Sequence, residues 1–216
     1  MKQVMNYKLA DLPLTIPVFP LTGVLLLPRV PLPLNIFEPR YLQMVDDALR
    51  GDRLIGMIQP KHENELYDIG CAGRITSYQE TDDGRMLITL TGVCRFKIIN
   101  EIQNDKLYRT MNVNWDEFKD DINAPDQFNI DRKHLCDVLK LYFEQHDMSM
   151  DWGSIDIVGC EKLMNMLSII CPLEPNEKQA LLETKCEHKR ADLLIKLLRM
   201  HIHCYADNDN DDKKIH

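Results

Sequence analysis

Prolines interrupt the apolar residues near the start of this chain so often that no long strand or helix can form there. The apolar runs 16–21, 25–28 and 31–37 all contain proline, and Pro39 follows two residues later. Proline has no N–H group to donate to a sheet ladder, so it is confined to edge strands, strand ends and bends. The pattern therefore predicts short edge strands and bends, with Pro39 in the first turn of a helix.

The chain is long enough for one large domain or two small ones, and its composition is that of an ordinary soluble globular protein. It has 216 residues, of which 44% are hydrophobic and 28% are charged. No apolar stretch approaches the roughly 18 residues of a membrane helix. Residues 1–8 lack the apolar centre of a secretory signal. We expect a cytoplasmic protein with no membrane partner.

The negative charge is concentrated in the second half of the chain. Residues 1–115 contain 13 basic and 13 acidic residues, whereas residues 116–216 contain 13 and 21 and carry all of the net charge of −8. Neither half offers the basic face that binding of nucleic-acid phosphates requires. We therefore expect no nucleic-acid partner.

The cysteines and histidines do not follow the spacing of known metal or redox sites. The seven cysteines include no C-x-x-C pair, which favours reduced thiols. His201, His203 and Cys204, with Cys186 and His188 before them, have a spacing unlike that of structural zinc sites. No serine lies in a G-x-S-x-G context. We expect no metal, no cofactor and no catalytic residue.

The first half of the chain has the pattern of β-structure with one helix. The predicted elements are a helix at 38–50 and strands at 54–58, 71–80, 85–99 and 107–113. Asp83-Gly84 is a strong hairpin signal, and Gly92 indicates a bulge or bend. Several short strands joined by tight turns, with one helix, predict a small β-barrel.

The apolar period becomes helical in the second half, after residues 116–126, which hold five acids and one lysine without a period. Pro175 is predicted to open a helix that continues to Glu183. The other helical stripes are Leu135, Val138, Leu139, Tyr142 and Phe143; Leu163, Met166, Leu167 and Ile170; and Ala191, Leu194, Ile195 and Leu198. The predicted division is a barrel subdomain at 1–115, an acidic linker at 116–126, an all-helical subdomain at 127–205 and a disordered tail at 206–216.

Four segments stand in a characteristic order along this sequence: the proline-rich start, residues 67–75, residues 90–96 after the Asp83-Gly84 turn, and residues 175–183. In this order they resemble the Lon protease N-terminal domain, the substrate-binding module of an ATP-dependent protease. The version Phe37-Glu38-Pro39-Arg40-Tyr41 is similar to stand-alone bacterial proteins that carry this domain alone. The resemblance covers roughly residues 14–200. It implies an α+β fold, in which a PUA-like small β-barrel with one helix is followed by an all-helical subdomain.

The sequence departs from full-length Lon protease in its enzymatic parts. It contains no G-x-x-x-x-G-K-[ST] phosphate loop, and the Ser/Lys peptidase domain is missing. We therefore expect a non-catalytic polypeptide-binding module, such as an adaptor in protein quality control or regulated proteolysis. Its expected partners are unfolded or misfolded polypeptides, with a separate protease as a further candidate. The alternatives are an RNA-binding PUA-like barrel and a hydrolase of unknown type; the oligomeric state stays open.

The candidate polypeptide-binding residues lie in the proline-rich start, and they are Leu25, Leu27, Ile36, Phe37 and Tyr41. Consecutive apolar residues on a strand point to opposite faces, so at least one of each adjacent pair leaves the interior. The resulting surface either packs against the helical half or remains exposed as a patch able to bind unfolded chain.

Overall fold

Two compact units make up the chain in the computed structural model, which describes residues 8–62, 65–123, 129–149, 151–155 and 158–212. The first, here called the sheet unit, contains Met1–Pro125 and Glu174–Glu183. The second, the helical unit, contains Asp126–Leu173 and Thr184–His216. This division differs from the predicted one, because a segment within residues 127–205 belongs to the sheet unit.

The described elements are six strands, six α-helices and two 3₁₀ helices, Leu9–Asp11 and Asp116–Ile122. The strands are β1 (Thr15–Pro20), β2 (Pro31–Ile36), β3 (Leu54–Ile58), β4 (Ile69–Glu80), β5 (Met86–Ile102) and β6 (Thr110–Asn114). The helices are α1 (Pro39–Arg50), α2 (Arg132–Gln145), α3 (Trp152–Ile155), α4 (Cys160–Ile170), α5 (Pro175–Glu183) and α6 (Glu187–Asp212). Within the described part of the chain, none of these helices combines the length and the apolar character that crossing a membrane requires.

The strands form one mixed sheet in the order β2-β5-β4-β3-β1-β6, and β6 also pairs with β5. Strand β1 runs parallel to β3, whereas the other strand pairs are antiparallel. The pairings from β5 through β4, β3, β1 and β6 return to β5, so they form a closed cycle to which β2 is added. The structure thus confirms the predicted α+β class, in the form of a mixed sheet combined with helices.

Strand β1 accommodates two prolines because it changes partners halfway along its length. Residues 15–17 pair with β6, and residues 18–20 pair with β3. Val18 still donates its N–H to the Arg109 carbonyl on the β6 side, and Leu21 donates to the Ile58 carbonyl on the β3 side. By alternation, the Pro17 nitrogen faces the β3 side before that ladder begins, and the Pro20 nitrogen faces the β6 side after that ladder has ended. The predicted edge position is confirmed for β2, whose described pairing is with β5, but it is wrong for β1, which lies between β3 and β6.

Helix α1 begins and ends where the sequence predicts. Glu38 occupies the N-cap position, Pro39 lies in the first turn, and Gly51 is at the C-cap position. The buried residues recur at helical spacing, and they are Tyr41, Met44, Val45 and Ala48. This stripe is the face by which α1 packs against β1 and β3.

Strands β4 and β5 form the long hairpin predicted around Asp83-Gly84. Gly84 has a φ of 79°, a left-handed conformation that glycine adopts without strain. A register shift next to Gly92 leaves Val93 as an extra residue on β5, because Gly92 pairs with Gly73 while Cys94 pairs with Ala72. The bulge predicted at Gly92 is therefore confirmed.

Residues 116–122 of the predicted linker form a 3₁₀ helix within the sheet unit. Phe118 is buried, and the Arg95 guanidinium lies 4.4 Å from the centre of its ring. Arg95 also donates from Nε and Nη2 to the Asp121 carboxylate, each at 2.8 Å. Composition alone could not show that this acidic segment has a buried cationic partner 26 residues earlier. Residues 124–128 lie outside the described residues.

The helical unit follows its apolar stripes, with one departure. The α2 stripe at 135–143 is buried throughout, and α2 packs against α6. On α4, Leu163 and Leu167 are buried, whereas Met166 and Ile170 are exposed. The buried stripe on α4 therefore includes fewer of the apolar residues than helical spacing predicts.

Helix α6 is longer than composition predicts. Ala191, Leu194 and Leu198 are buried as expected. The helix then continues to Asp212 and so includes most of the segment 206–216, which the sequence predicts to be disordered. Residues 213–216 lie outside the described residues.

Candidate functional site

Four of the five predicted polypeptide-binding residues belong to the interior of the sheet unit. Leu25, Leu27, Ile36 and Tyr41 are all buried, each with at most 6% of its surface exposed. A buried side chain cannot contact an external polypeptide unless the fold opens. The prediction of an exposed surface is therefore wrong for these four residues.

Two glycines explain why residues 25–27 are buried within the sheet unit itself. A Cβ added to Gly73 would lie 2.7 Å from Leu26 Cδ2, and one added to Gly92 would lie 2.1 Å from the Leu27 carbonyl oxygen. The loop therefore lies directly on the sheet where the two strands carry no side chain. The paired Gly73 and Gly92 were the sequence signal that could have predicted this.

Tyr41 is held in the core by aromatic and cationic neighbours. Its ring centre is 4.2 Å from that of Phe19, and the Arg40 guanidinium lies 4.5 Å from the Tyr41 ring. Arg40 also pairs with Glu38 at 2.8 Å. Burial raises the pKa of Tyr41. The Glu38–Arg40 pair is thus a local contact at the start of α1, as expected for a structural role.

Phe37 is the one predicted site residue that is exposed, with 63% of its surface accessible. It directly follows β2, whose last residue Ile36 pairs with Met86 of β5. Leu87 is opposite Asn35, so these two side chains share one face of the sheet, whereas Tyr78 is opposite Ile88 and points to the other face at the same end of the hairpin. Tyr78 and Leu87 are also exposed, at 57% and 43%.

These three exposed apolar side chains, Phe37, Tyr78 and Leu87, lie around the end of the hairpin on both faces of the sheet, and we call this end the hairpin surface. Such a concentration of exposed large apolar residues at one end of a sheet is unusual on a protein without binding partners. The sequence pattern did not single out Tyr78 and Leu87. The available signal was that they are large apolar residues flanking a predicted tight turn, where polar residues are the rule.

The turn that joins β4 to β5 gives the hairpin surface an acidic border. Glu80, Asp82 and Asp83 are exposed there, and Arg85 is the nearby cation, 2.7 Å from Asp83. The hydrogen bond from the Thr81 hydroxyl lowers the pKa of Asp83, so it stays ionised. The border therefore carries a net negative charge, which favours basic partners.

A recess of about 130 Å³ in the sheet unit brings together a lysine, a tyrosine and an aspartate. The Tyr108 hydroxyl donates to Asp47 Oδ2 at 2.7 Å, and Lys106 Nζ donates to the Tyr108 oxygen at 2.7 Å. The hydrogen bond to Tyr108 raises the pKa of Lys106, and burial raises the pKa of Tyr108. Both stay protonated at neutral pH, whereas a base or nucleophile needs a lowered pKa. These directions disfavour Lys106 and Tyr108 as a base or nucleophile, and we interpret the cluster as a structural link.

At least five of the eight arginines of the sheet unit are paired with carboxylates, which bears on the RNA-binding alternative. The pairs are Arg40–Glu38, Arg50–Asp46, Arg85–Asp83, Arg95–Asp121 and Arg109–Glu101. Pairing neutralises charges that would otherwise contact phosphates. This arrangement disfavours RNA as the ligand of the sheet unit.

The cysteines and histidines form no metal-binding group within the described residues. Cys71, Cys94 and Cys171 are buried. Burial raises the pKa of the Cys94 thiol, so it is a poor nucleophile. The Cys204 side chain lies outside the described part of the structure, so the expected absence of a metal there stays a prediction.

The sequence matches the family described as the ATP-dependent protease La (LON) substrate-binding domain over residues 15–200. A match over this much of the chain establishes the family. The chain belongs to the Lon substrate-binding domain family.

Curated relatives are much longer than this chain. The Lon protease of Cytophaga hutchinsonii is 24% identical over 87% of this chain and 24% of its own length. The Lon protease of Desulfosudis oleivorans is 29% identical over 44% of this chain and 12% of its own length. This chain therefore spans a quarter or less of these proteases, and the similarity covers their N-terminal substrate-binding domain only.

Two solved structures share the fold. A Lon N-terminal domain protein from Xanthomonas campestris has a TM-score of 0.61 at 22% identity, covering 84% of this chain and 97% of that protein. The N-terminal domain of Lon protease from the Mycobacterium avium complex also has a TM-score of 0.61, at 17% identity, covering 87% of this chain and 99% of that domain. At these identities the likeness establishes the Lon N-terminal domain fold.

Proposed function

We propose that this chain binds polypeptide segments without cleaving them, and that the hairpin surface of the sheet unit is where they bind. The family is a substrate-binding domain of a protease, which supports polypeptide as the ligand. The observation that carries the location is the exposed group Phe37, Tyr78 and Leu87 on one end of the sheet. Of the five polypeptide-binding residues predicted from the sequence, Phe37 is the one that belongs to the hairpin surface.

We further propose that the chain works as an adaptor, presenting unfolded or misfolded polypeptides to a separate protease in the cytoplasm. Support comes from the restriction of the similarity to the substrate-binding part of the Lon proteases. The closed cycle of strands β5, β4, β3, β1 and β6 also supports our assignment of a PUA-like barrel. In this role the barrel holds the binding surface rigid and performs no chemistry.

Binding of an unfolded polypeptide tests the proposal. Fluorescein-labelled, reduced and carboxymethylated α-lactalbumin is titrated with the protein, and anisotropy gives the Kd. We expect Phe37→Asp and Leu87→Asp each to weaken binding at least tenfold, because a carboxylate opposes apolar contact. Thermal melting should change little, since both side chains are exposed.

Matched controls come from exposed leucines elsewhere. Leu14 in the sheet unit is 73% exposed and Leu141 lies exposed on α2, so Leu14→Asp and Leu141→Asp should leave the Kd within twofold. Equal loss in all four variants would indicate a nonspecific charge effect. Unchanged affinity in both hairpin variants would remove the hairpin surface as the binding site.

A further inference from the structure

One stretch of β4 has an open backbone edge. The ladder between β3 and β4 ends at Arg74, and Ile75 donates its N–H to the Arg53 carbonyl just beyond β3. Residues 77–80 then pair with β5 on one side, Thr76 is the extra residue at a register shift, and all five residues are exposed. Among the described residues, no strand pairs with the other side of this stretch.

The register shows which backbone groups point away from β5. Thr81 donates its N–H to the Arg85 carbonyl at 2.9 Å, so the hydrogen-bonded pairs continue at every second residue with Gln79 and Ser77. The N–H and C=O groups of Tyr78 and Glu80 therefore point outward. Their spacing of two residues is the spacing by which a further strand adds to a sheet.

Strand β2 forms the opposite edge of the three strands β4, β5 and β2, and this edge is protected from pairing with a further strand. Gly92 donates its N–H to the Val30 carbonyl, so alternation directs Leu32 toward β5 and Pro31 and Pro33 outward. These two prolines have no N–H to offer to another strand. Proteins commonly block exposed edges with proline. One edge is thus blocked, whereas residues 76–80 of the other contain no proline.

Side chains on the open edge specify the kind of segment that fits. Tyr78 and Glu80 lie on the same face of β4 because they are two residues apart. A partner strand places one residue opposite each of them. Tyr78 favours an apolar or aromatic residue, and Glu80 beside the acidic turn favours a lysine or arginine.

We propose that residues 76–80 of β4 bind an extended polypeptide segment as an added β-strand, with an apolar residue and a basic residue two positions apart. The segment is about five residues long, since each residue of a strand advances by about 3.3 Å. This inference rests on the proposed function and specifies its ligand. It makes the backbone of the hairpin surface, in addition to its side chains, part of the recognition.

N-methylated peptides test strand addition without changing the protein. The probe is the acetylated and amidated peptide Thr-Val-Thr-Phe-Thr-Lys-Thr-Val-Thr, compared with two versions methylated at alternate backbone nitrogens. Only one of the two alternate sets of peptide N–H groups faces β4. Compared with the unmethylated peptide, we therefore expect one methylated version to bind at least tenfold more weakly and the other to bind within threefold. Replacing lysine by glutamate should also weaken binding at least tenfold.

A proline in the protein provides the reciprocal test. Tyr78→Pro removes an outward N–H and should weaken peptide binding at least tenfold, whereas Asn35→Pro on the edge of β2 should leave it within twofold. Tyr78→Phe, which keeps the ring and the N–H, should bind like wild type. If Tyr78→Pro fails to fold, the methylated peptides still decide.

The outcomes separate this inference from the proposed function. If α-lactalbumin binding depends on Phe37 but both methylated peptides bind equally well, strand addition is overturned and the proposed function survives. If neither α-lactalbumin nor the peptide binds, the proposed function and the strand-addition inference are both overturned. If sedimentation shows a wild-type dimer that Tyr78→Pro dissociates, the edge is occupied by a second copy of the chain, and the inference is likewise overturned.

Discussion

The two units of this chain rely on buried polar contacts to different extents. In the sheet unit, buried polar side chains join segments that are far apart in sequence: Arg95 donates to the Leu182 carbonyl at 2.9 Å, and Gln179 Nε2 donates to the Ile69 carbonyl at 3.1 Å. In the helical unit, α2 and α6 pack through apolar stripes in which Leu139 and Leu194 are fully buried, and a buried polar contact over a shorter sequence separation, from Arg190 Nη1 to Asn165 Oδ1 at 3.0 Å, links α6 to α4.

The difference explains how α5 joins the sheet unit. Gln59 Nε2 donates to the Pro175 carbonyl at 3.0 Å, and Lys178 Nζ donates to the Gly23 carbonyl at 2.9 Å. These directional bonds define one position of the helix, because each buried polar group needs its particular partner. Apolar stripes give comparable stability with less specific geometry. The comparison predicts that single polar substitutions damage the sheet unit most.

The largest effect is expected for Arg95→Met. This change removes one member of a buried ion pair and leaves the Asp121 carboxylate without its partner, which costs about 3–5 kcal/mol. The free energy of unfolding is measured in urea through Trp115 in a Trp152→Phe background, because the two tryptophans of the chain lie in different units.

Arg85→Met is the matched control for Arg95→Met. Its pair with Asp83 has a similar distance but is exposed, so we expect a free energy of unfolding close to that of the wild type. Equal losses in the two variants would contradict the distinction between buried and exposed pairs on which the comparison depends.

Local patterns in the sequence were sufficient for most elements. The start of α1 at Pro39, strand β3 and the turn at Gly84 all follow from proline chemistry, β-propensity and the need for a positive φ. The α2 stripe follows from helical periodicity. These features depend on neighbours within a few residues, and the sequence displays such neighbours directly.

Contacts between distant segments could not be predicted in the same way. Asp121 looked like part of a solvated linker, since its partner Arg95 is not a sequence neighbour. Leu27 looked exposable, because its burial depends on the absent side chain of Gly92. Phe37 is exposed, as a surface role requires, whereas its position near Tyr78 and Leu87 at the end of the hairpin depends on strand register.

The next effect tests the helical unit. Leu194→Ala leaves a cavity between packed helices and should destabilise that unit by about 2–5 kcal/mol. Trp152 fluorescence in a Trp115→Phe background reports the loss. Leu141→Ala, on the exposed side of α2, should change stability by less than about 0.5 kcal/mol. A loss that appears equally in the Trp115 signal would show that the two units unfold together.

A smaller effect is expected for Gly92→Ala. The added Cβ would lie 2.1 Å from the Leu27 carbonyl oxygen, so the loop must move, at a cost of about 1–3 kcal/mol. Gly159→Ala in the helical unit is the control, because an added Cβ there meets nothing within 4 Å and its φ of −58° suits alanine. We expect the control to lose less than about 1 kcal/mol. Wild-type stability in Gly92→Ala would contradict the close approach of loop and sheet.

Acid should affect the two units over different pH ranges, with the smallest changes in stability. Burial, with a contribution from nearby His201, lowers the pKa of His146. The unfolded chain therefore takes up this proton first, and the helical unit loses stability as the pH falls below about 6.5. The hydrogen bond from Tyr108 lowers the pKa of Asp47. Its contribution to the sheet unit is present above about pH 3.9 and is lost as the pH falls through the lower, folded pKa.

Urea midpoints measured from pH 8 to pH 3 in the two single-tryptophan backgrounds separate these contributions. His146→Gln should reduce the decline of the helical unit between about pH 6.5 and 5, and Asp47→Asn should reduce that of the sheet unit below about pH 4. Each difference should be under about 1 kcal/mol, because Asp47 and its lysine partner are partly exposed and His146 is only partly desolvated. If Asp47→Asn instead changes the decline near pH 6, the carboxylate has a raised pKa in the folded chain. The Lys106–Tyr108–Asp47 recess would then hold a group able to act as a base near neutral pH, and its assignment as a structural link would be wrong.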